Sequence, residues 1–409
     1  MKRGHLWLIA GVAIAPRLAV LLHERGRILT AFTDKGDDFA QTFVHHGTFG
    51  FLPGEPSAYT QPLYGFFLIP VYWIFGRTWW AVGGVQIVVA TVTALLVYAI
   101  GAHALSRRAG VFAAVLSTLS PYLVWHDVHL NREIIDQLVA AALVLSALIA
   151  ADRRSLPWAT VAGVWAGLAV LGNVRLAFVP LVIAAYLLFR NGWSWAPLAL
   201  VAAAAVTLAP WVVRNRVEVG CFALTTDARA LWKANNLQTY GLLDSGKWID
   251  DVRDPPRHPF PNPQEARDLY LQNGKKVHVD ECRNQEYYQH RVWRFVRDHP
   301  GEKAKLAAQA VRMEWDPRTT ASATESGHGA IRGWAQPLYM SFLYALGLAG
   351  FAVTRRRFVA LALAVLAYQT LAAMVFVGAT RYRVATDFLI ALLAAGALEW
   401  ALARRRRAR

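Results

Sequence analysis

Apolar residues run along most of this chain in long stretches separated by short polar turns. A helix rises about 1.5 Å per residue, so crossing a hydrocarbon core of about 30 Å takes roughly 20 mostly apolar residues. Stretches of this kind lie near residues 6–23, 84–105, 110–126, 133–151, 157–172, 175–189, 194–213, 334–353, 358–377 and 384–403. They predict an all-α integral membrane protein with about ten transmembrane helices. One further apolar run, 62–75, is aromatic, contains Pro70 and is short for a span, so it predicts a helix lying in the outer interface. From 214 to 333 the pattern turns polar, as expected of a large loop domain outside the membrane. The chain thus divides into a transmembrane module, 1–213, with its first loop at 24–83; the loop domain, 214–333; and C-terminal transmembrane helices with a basic tail, 334–409.

Within the loop domain, five prolines between Asp250 and Pro263 exclude regular structure there. Beyond them, Tyr287–Arg297 and Glu302–Trp315 have helical apolar spacing interrupted by Asp298, His299, Pro300 and Gly301, which predicts two amphipathic helices near the membrane surface.

Composition agrees with a membrane as solvent: 56% of the 409 residues are hydrophobic and 17% charged. The net charge of +16 does not point to nucleic acid, because the basic residues sit in short clusters between apolar runs. Membrane lipids and orientation account for them. With the N-terminus in the cytoplasm, Lys2, Arg3, Arg107, Arg108, Arg153, Arg154, Arg190, Arg355, Arg356, Arg357, Arg404, Arg405, Arg406, Arg407 and Arg409 fall inside. The positive-inside rule therefore selects a multi-pass protein of the inner (plasma) membrane with both termini cytoplasmic. The first apolar run has no small-x-small cleavage site and is expected to stay as an anchor.

Ionisable groups at membrane boundaries are costly unless paired or functional, so the outer side draws attention. Its first loop contains Asp34, Lys35, Gly36, Asp37 and Asp38 and ends in Tyr59, Thr60, Gln61, Pro62, Leu63 and Tyr64. An aspartate held there is able to remove a proton from an acceptor hydroxyl, or the aspartates simply cap a helix beginning at Phe39. Glu133 and Asp136, one turn apart, put a carboxylate toward a polar cavity, unless Arg132 pairs with Asp136 instead. Arg17, Arg175, Arg214, Arg216, Arg381 and Arg383 end their helices at one depth, which suits a phosphate or snorkelling to headgroups. Arg175, Arg381 and Arg383 sit in short outer turns against the charge bias. His126, Asp127 and His129 have no second ligand cluster, so no metal is assigned. Cys221 and Cys282 share the oxidising side, either bonded or as separate thiols.

These stretches, in order, resemble the polytopic glycosyltransferases of the C superfamily, the dolichyl-phosphate-mannose-protein mannosyltransferase and aminoarabinose-transferase relatives. The residues that carry the resemblance are Gly36–Asp37–Asp38, His46 to Gly50, Tyr59 to Tyr64, Asn131–Arg132–Glu133, Pro210 to Asn215, Arg297 to Gly301 leading to Trp315, and Arg381–Tyr382–Arg383. The resemblance implies inverting transfer of a monosaccharide from a polyprenyl-phosphate donor to a glycan, lipid or protein acceptor of the cell envelope. It implies Asp37 or Asp38 as base, Asp37 slightly favoured, with Glu133 orienting the acceptor or the base. It puts Arg214 and Arg381 on the donor phosphate; Arg175 and Arg383, by their depth and their place against the charge bias, are expected to join them, with Tyr59, Gln61, Tyr64 and Asp136 along the substrate groove. No cofactor is required, and a divalent metal is optional. Two departures are Phe39, where the family usually has a tyrosine nearby, and Ala234–Asn235–Asn236, where it has a Gly-Asn pair. Two rival readings are a lipid-linked-oligosaccharide polymerase or ligase, which needs no first-loop aspartate, and a transporter or flippase, which would place charges near mid-bilayer in paired repeats.

Overall fold

A computed structural model describes residues 3–255, 261–318 and 331–407. Lys2, Arg409, Pro256, Pro259 and the stretch 319–330 lie outside the described residues. Among the described residues the fold is all-α, with a single isolated bridge between Leu52 and Glu55. The first half contains α1 (Arg3–His23), α2 (Lys35–His46), α3 (Pro62–Phe75), α4 (Trp79–Ala104), α5 (Arg107–Thr118), α6 (Pro121–His126), α7 (Glu133–Arg153), α8 (Leu156–Gly172), α9 (Val179–Asn191) and α10 (Ala196–Glu218). The polar region adds α11 (Ala228–Lys233), α12 (Thr239–Asp244), α13 (Pro263–Asn273), α14 (Glu281–Asp298) and α15 (Pro300–Trp315). The chain closes with α16 (Gln336–Val353), α17 (Arg356–Val375), α18 (Thr380–Arg383) and α19 (Asp387–Arg407).

Seven helices among the described residues are long and apolar enough to cross a membrane, a smaller number than the apolar runs suggest. The run 110–126 is broken at Ser120–Pro121, because proline has no amide hydrogen to continue the α5 ladder. The helix at 157–172 is a 17-residue piece, and α19 carries Asp387, Glu399 and its terminal arginines. Large apolar side chains such as Val206, Val217, Leu338 and Leu348 are exposed along α10 and α16, as on a surface solvated by lipid. This is a multi-pass membrane protein.

Small residues bring the helices together. A Cβ at Gly163 of α8 would lie 2.2 Å from the Leu200 carbonyl of α10, and one at Gly167 would lie 2.6 Å from Thr207. Glycine four apart thus lets two helix backbones touch where lipid gives no hydrophobic drive. α7 packs against α4, α8 and α9 at the centre of the bundle. In the first loop, Asp34 caps α2 by accepting from the Gly36 amide, so the helix starts earlier than Phe39. α3 has the residue limits of the predicted interfacial helix and packs on α2, α4 and α8. In the polar region α14 and α15 occupy the two predicted amphipathic segments, with Pro300 opening the second. α13 is additional: Asn262 and Glu265 form a capping box, and Pro263 serves as its first residue. Cys221 and Cys282 are bonded, Cα to Cα 5.9 Å, tying the end of α10 to the start of α14.

Candidate active site

A cavity of about 340 Å³ opens where the first loop, the start of α7, the turn after α8, the polar region and the α17–α18 turn meet. Its walls carry the cations Lys35, Arg132, Arg175, Arg267 and Arg381 and the carboxylates Asp34, Asp38, Asp227 and Asp250. Thr60, Gln61, Asn173, Trp248, Phe376 and Tyr382 complete much of the lining.

Most of these charges are paired. Lys35 lies 3.0 Å from Asp227, with its ammonium also over the ring of Tyr59. Arg132 donates to Gln61 at 2.5 Å and stands 3.9 Å from both Asp34 and Glu133 rather than pairing with Asp136. Arg381 is 3.0 Å from Glu133. Arg175 differs. It is buried, donates to the Val377 carbonyl at 2.6 Å and stacks 3.4 Å from the Tyr382 ring centroid. No carboxylate stands within ion-pair distance of it among the described residues. A desolvated guanidinium that faces a cavity with no carboxylate in direct contact is able to receive an anion there.

The two first-loop aspartates have opposite surroundings. Asp37, favoured as base on the resemblance, is 2% exposed and does not line the cavity. Arg77 grips it through two bonds of 2.8 and 3.0 Å, and Tyr72 and Gln41 also donate to it. Every lone-pair direction is used, as in a structural ion pair. Asp38 faces the cavity and pairs with Arg267 of α13 at 2.5 Å. Burial raises its pKa above the usual carboxylate value, opposed by Arg267 and aided by the neighbouring charge of Asp37.

Other residues singled out from the sequence have other places. Glu133 lies behind Arg381 and holds it. Arg383 is fully buried against Asp387 at 2.9 Å and the Glu314 carbonyl, away from the cavity. Arg214 faces a separate apolar groove, donating to the carbonyls of Ser57 and Phe49 and pairing with Glu218. Gln61 lines the cavity; Tyr59 lies beneath Lys35, Tyr64 donates to Gln86 at 2.8 Å, and Asp136 is buried beside Gly172. Arg17 is buried with Asp127, 2.7 Å apart. Asn235 holds the polar region to α17, bonding the Val375 carbonyl at 3.0 Å and accepting from Lys303. Asp227, Asp250, Trp248 and Arg267 were not identified from sequence, because they come from a polar region whose short helices have no long apolar stripe. Among the described residues no group of three or more His, Cys, Asp or Glu is placed to hold a metal ion.

Glu314 of α15 anchors the turn that presents Arg381: it accepts from the Ala379 amide at 2.9 Å and from Gln369 at 3.2 Å. Burial pushes its pKa up to about 7. The folded chain therefore holds this proton where the unfolded chain, at an ordinary carboxylate value, has lost it; the contribution is full at acid pH and lost as pH rises through 7. Melting curves of Glu314→Gln and wild type from pH 5 to 8 are expected to shift progressively in favour of the variant. A pH-independent difference between the two would contradict this.

Residues 56–213 match the sequence profile of the dolichyl-phosphate-mannose-protein mannosyltransferase family. No curated protein sequence matches the chain significantly. Among solved structures, the archaeal oligosaccharyltransferase AglB from Archaeoglobus fulgidus, in complex with an inhibitory peptide and a dolichol-phosphate, is similar with a TM-score of 0.57 at 13% identity, over 98% of this chain and 51% of that one. The Archaeoglobus fulgidus oligosaccharyltransferase in complex with zinc and sulfate gives 0.53 at 16% identity over 98% and 51%. ArnT from Cupriavidus metallidurans bound to undecaprenyl phosphate gives 0.46 at 14% identity over 97% and 78%. The chain spans about half the length of the oligosaccharyltransferase it matches. Over nearly its whole length the chain shares the fold of the archaeal oligosaccharyltransferase.

Proposed function

We propose that this chain is an inverting glycosyltransferase that moves a monosaccharide from a polyprenyl-phosphate carrier to a glycan, lipid or protein acceptor of the cell envelope. The observation that carries the reading is Arg175, a desolvated guanidinium in the cavity with no carboxylate at ion-pair distance among the described residues, on a wall shared with Asp38. In this reading the donor phosphate sits on Arg175, flanked by Arg132 and Arg381. The isoprenoid tail leaves past Phe376 toward the α9–α17 seam, where Phe178, Leu371 and Val375 are exposed.

The acceptor hydroxyl gives its proton to Asp38 as its oxygen attacks the anomeric carbon. The bond from that carbon to the phosphate oxygen breaks, and the electron pair stays on the phosphate, where fixed guanidinium charge stabilises it in a partly dry site. Asp38 must first part from Arg267, so binding includes an exchange of partners on α13. The Arg-rich turns favour cytoplasmic termini, which puts the cavity at the outer face. Purified protein in detergent, given synthetic polyprenyl-phosphate monosaccharides and envelope lipid or glycan extracts, is expected to release free polyprenyl phosphate and a glycosylated product detected by mass spectrometry. Release only from diphosphate-linked donors would overturn the proposal.

A further inference from the structure

Behind the cavity wall lies a buried strap that the transfer reading does not use. The segment Ser57–Gln61 is joined to Thr225–Asp227 by a bond of 2.9 Å from the Thr226 amide to the Ala58 carbonyl. On the cavity side these segments present Gln61 and Asp227, which hold Arg132 and Lys35 respectively. On the far side, Glu281 is 5% exposed, and one of its oxygens accepts from the Ala58 amide at 3.0 Å and the Thr226 hydroxyl at 2.5 Å. Arg214 holds the same strap by the Ser57 carbonyl and also donates to the Phe49 carbonyl, eight residues earlier. The residue after Glu281 is Cys282, whose bond to Cys221 fixes the start of α14 close to the end of α10, which carries Arg214. A carboxylate and a guanidinium thus grip opposite hydrogen-bonding groups of one short segment, and a covalent bond holds both grips at a set spacing.

Resting on the transfer reading, we propose that Glu281, anchored by the Cys221–Cys282 bond, is a positioning residue of the reaction. It holds Gln61 and Asp227, and through them the cavity cations Arg132 and Lys35, in register with the donor phosphate. A misplacement of about 1 Å in such groups lowers turnover on the order of a hundredfold.

The test uses purified full-length chain with a synthetic polyprenyl-phosphate sugar, comparing wild type, Glu281→Ala, Glu281→Gln, Cys221→Ser/Cys282→Ser and the latter combined with Glu281→Ala. Hydrogen–deuterium exchange is followed alongside kinetics. Glu281→Ala is expected to lose roughly ten- to a hundredfold in kcat with a smaller change in donor KM. Glu281→Gln, which keeps an acceptor oxygen, restores most of it, and the triple variant is no worse than Glu281→Ala. Exchange rises at 57–61 and 224–228 and stays unchanged in α7 and α8. Wild-type kcat in Glu281→Ala overturns the proposal. So does a loss that Gln does not rescue and that comes with faster exchange throughout the bundle. If wild type transfers no sugar while exchange responds as expected, the transfer reading fails and the strap remains.

Discussion

Replacing Arg175 by alanine is expected to abolish most sugar transfer, lowering kcat by about a hundred- to a thousandfold, the usual cost of removing one fixed donor to a developing oxyanion. Two features make this site more sensitive than its neighbours. Arg132 and Arg381 are already paired with carboxylates, whereas Arg175, among the described residues, bonds the Val377 carbonyl and lies over the Tyr382 and Phe376 rings. The Tyr382 ring, its centroid 3.4 Å from the guanidinium carbon, holds the planar fork in place. Lysine keeps the charge and loses both the fork and the stack, so Arg175→Lys is expected to recover only part of the rate. Single-turnover kinetics with a polyprenyl-phosphate donor measure this, and an Arg175→Ala variant turning over within threefold of wild type would remove the phosphate assignment.

The second large effect separates two adjacent aspartates. Asp38→Asn is expected to lower kcat by about a hundred- to ten-thousandfold while leaving donor binding near wild type, because an amide accepts no proton. Asp37→Asn leaves Arg77 and Tyr72 poorly matched in a buried site, so its damage is to stability, seen as a lower melting temperature. The pH profile distinguishes the roles further. Asp38 works only when ionised, so turnover rises with pH through its elevated pKa and is lost below it. Arg267 is the main group lowering that pKa, so Arg267→Gln moves the acid limb to higher pH. An acid limb unmoved in Arg267→Gln and still present in Asp38→Asn would show that another group takes the proton.

Local chemistry explains which parts of this structure were readable in advance. Helix α3 has its predicted limits because Pro62 starts it and Gly76, at φ 70, ends it, both short-range signals. The run at 110–126 looked continuous because hydropathy is blind to the missing amide of Pro121. The choice between Asp37 and Asp38 was not legible. Neighbours on a helix point about 100° apart, and which one meets the cavity depends on Arg77, brought up from beyond the end of α3. Arg267 and Asp38 lie even further apart in sequence, so their contact follows only from tertiary packing. Depth alone groups Arg214 and Arg383 with the cavity arginines; it does not show that carbonyls, Glu218 and Asp387 are their partners.

The buried pair of Arg17 and Asp127 bears on how the chain is made. Arg17 sits in α1 at 1% exposure, and its anionic partner among the described residues, Asp127, follows 110 positions later. A lone arginine at the centre of a membrane helix carries a cost of about 3 kcal/mol, and a smaller one toward the helix end. During synthesis α1 therefore reaches the bilayer with its guanidinium unneutralised and settles only once α4 to α6 have emerged. The position of α1 in the bundle thus depends on a carboxylate supplied by a later part of the chain.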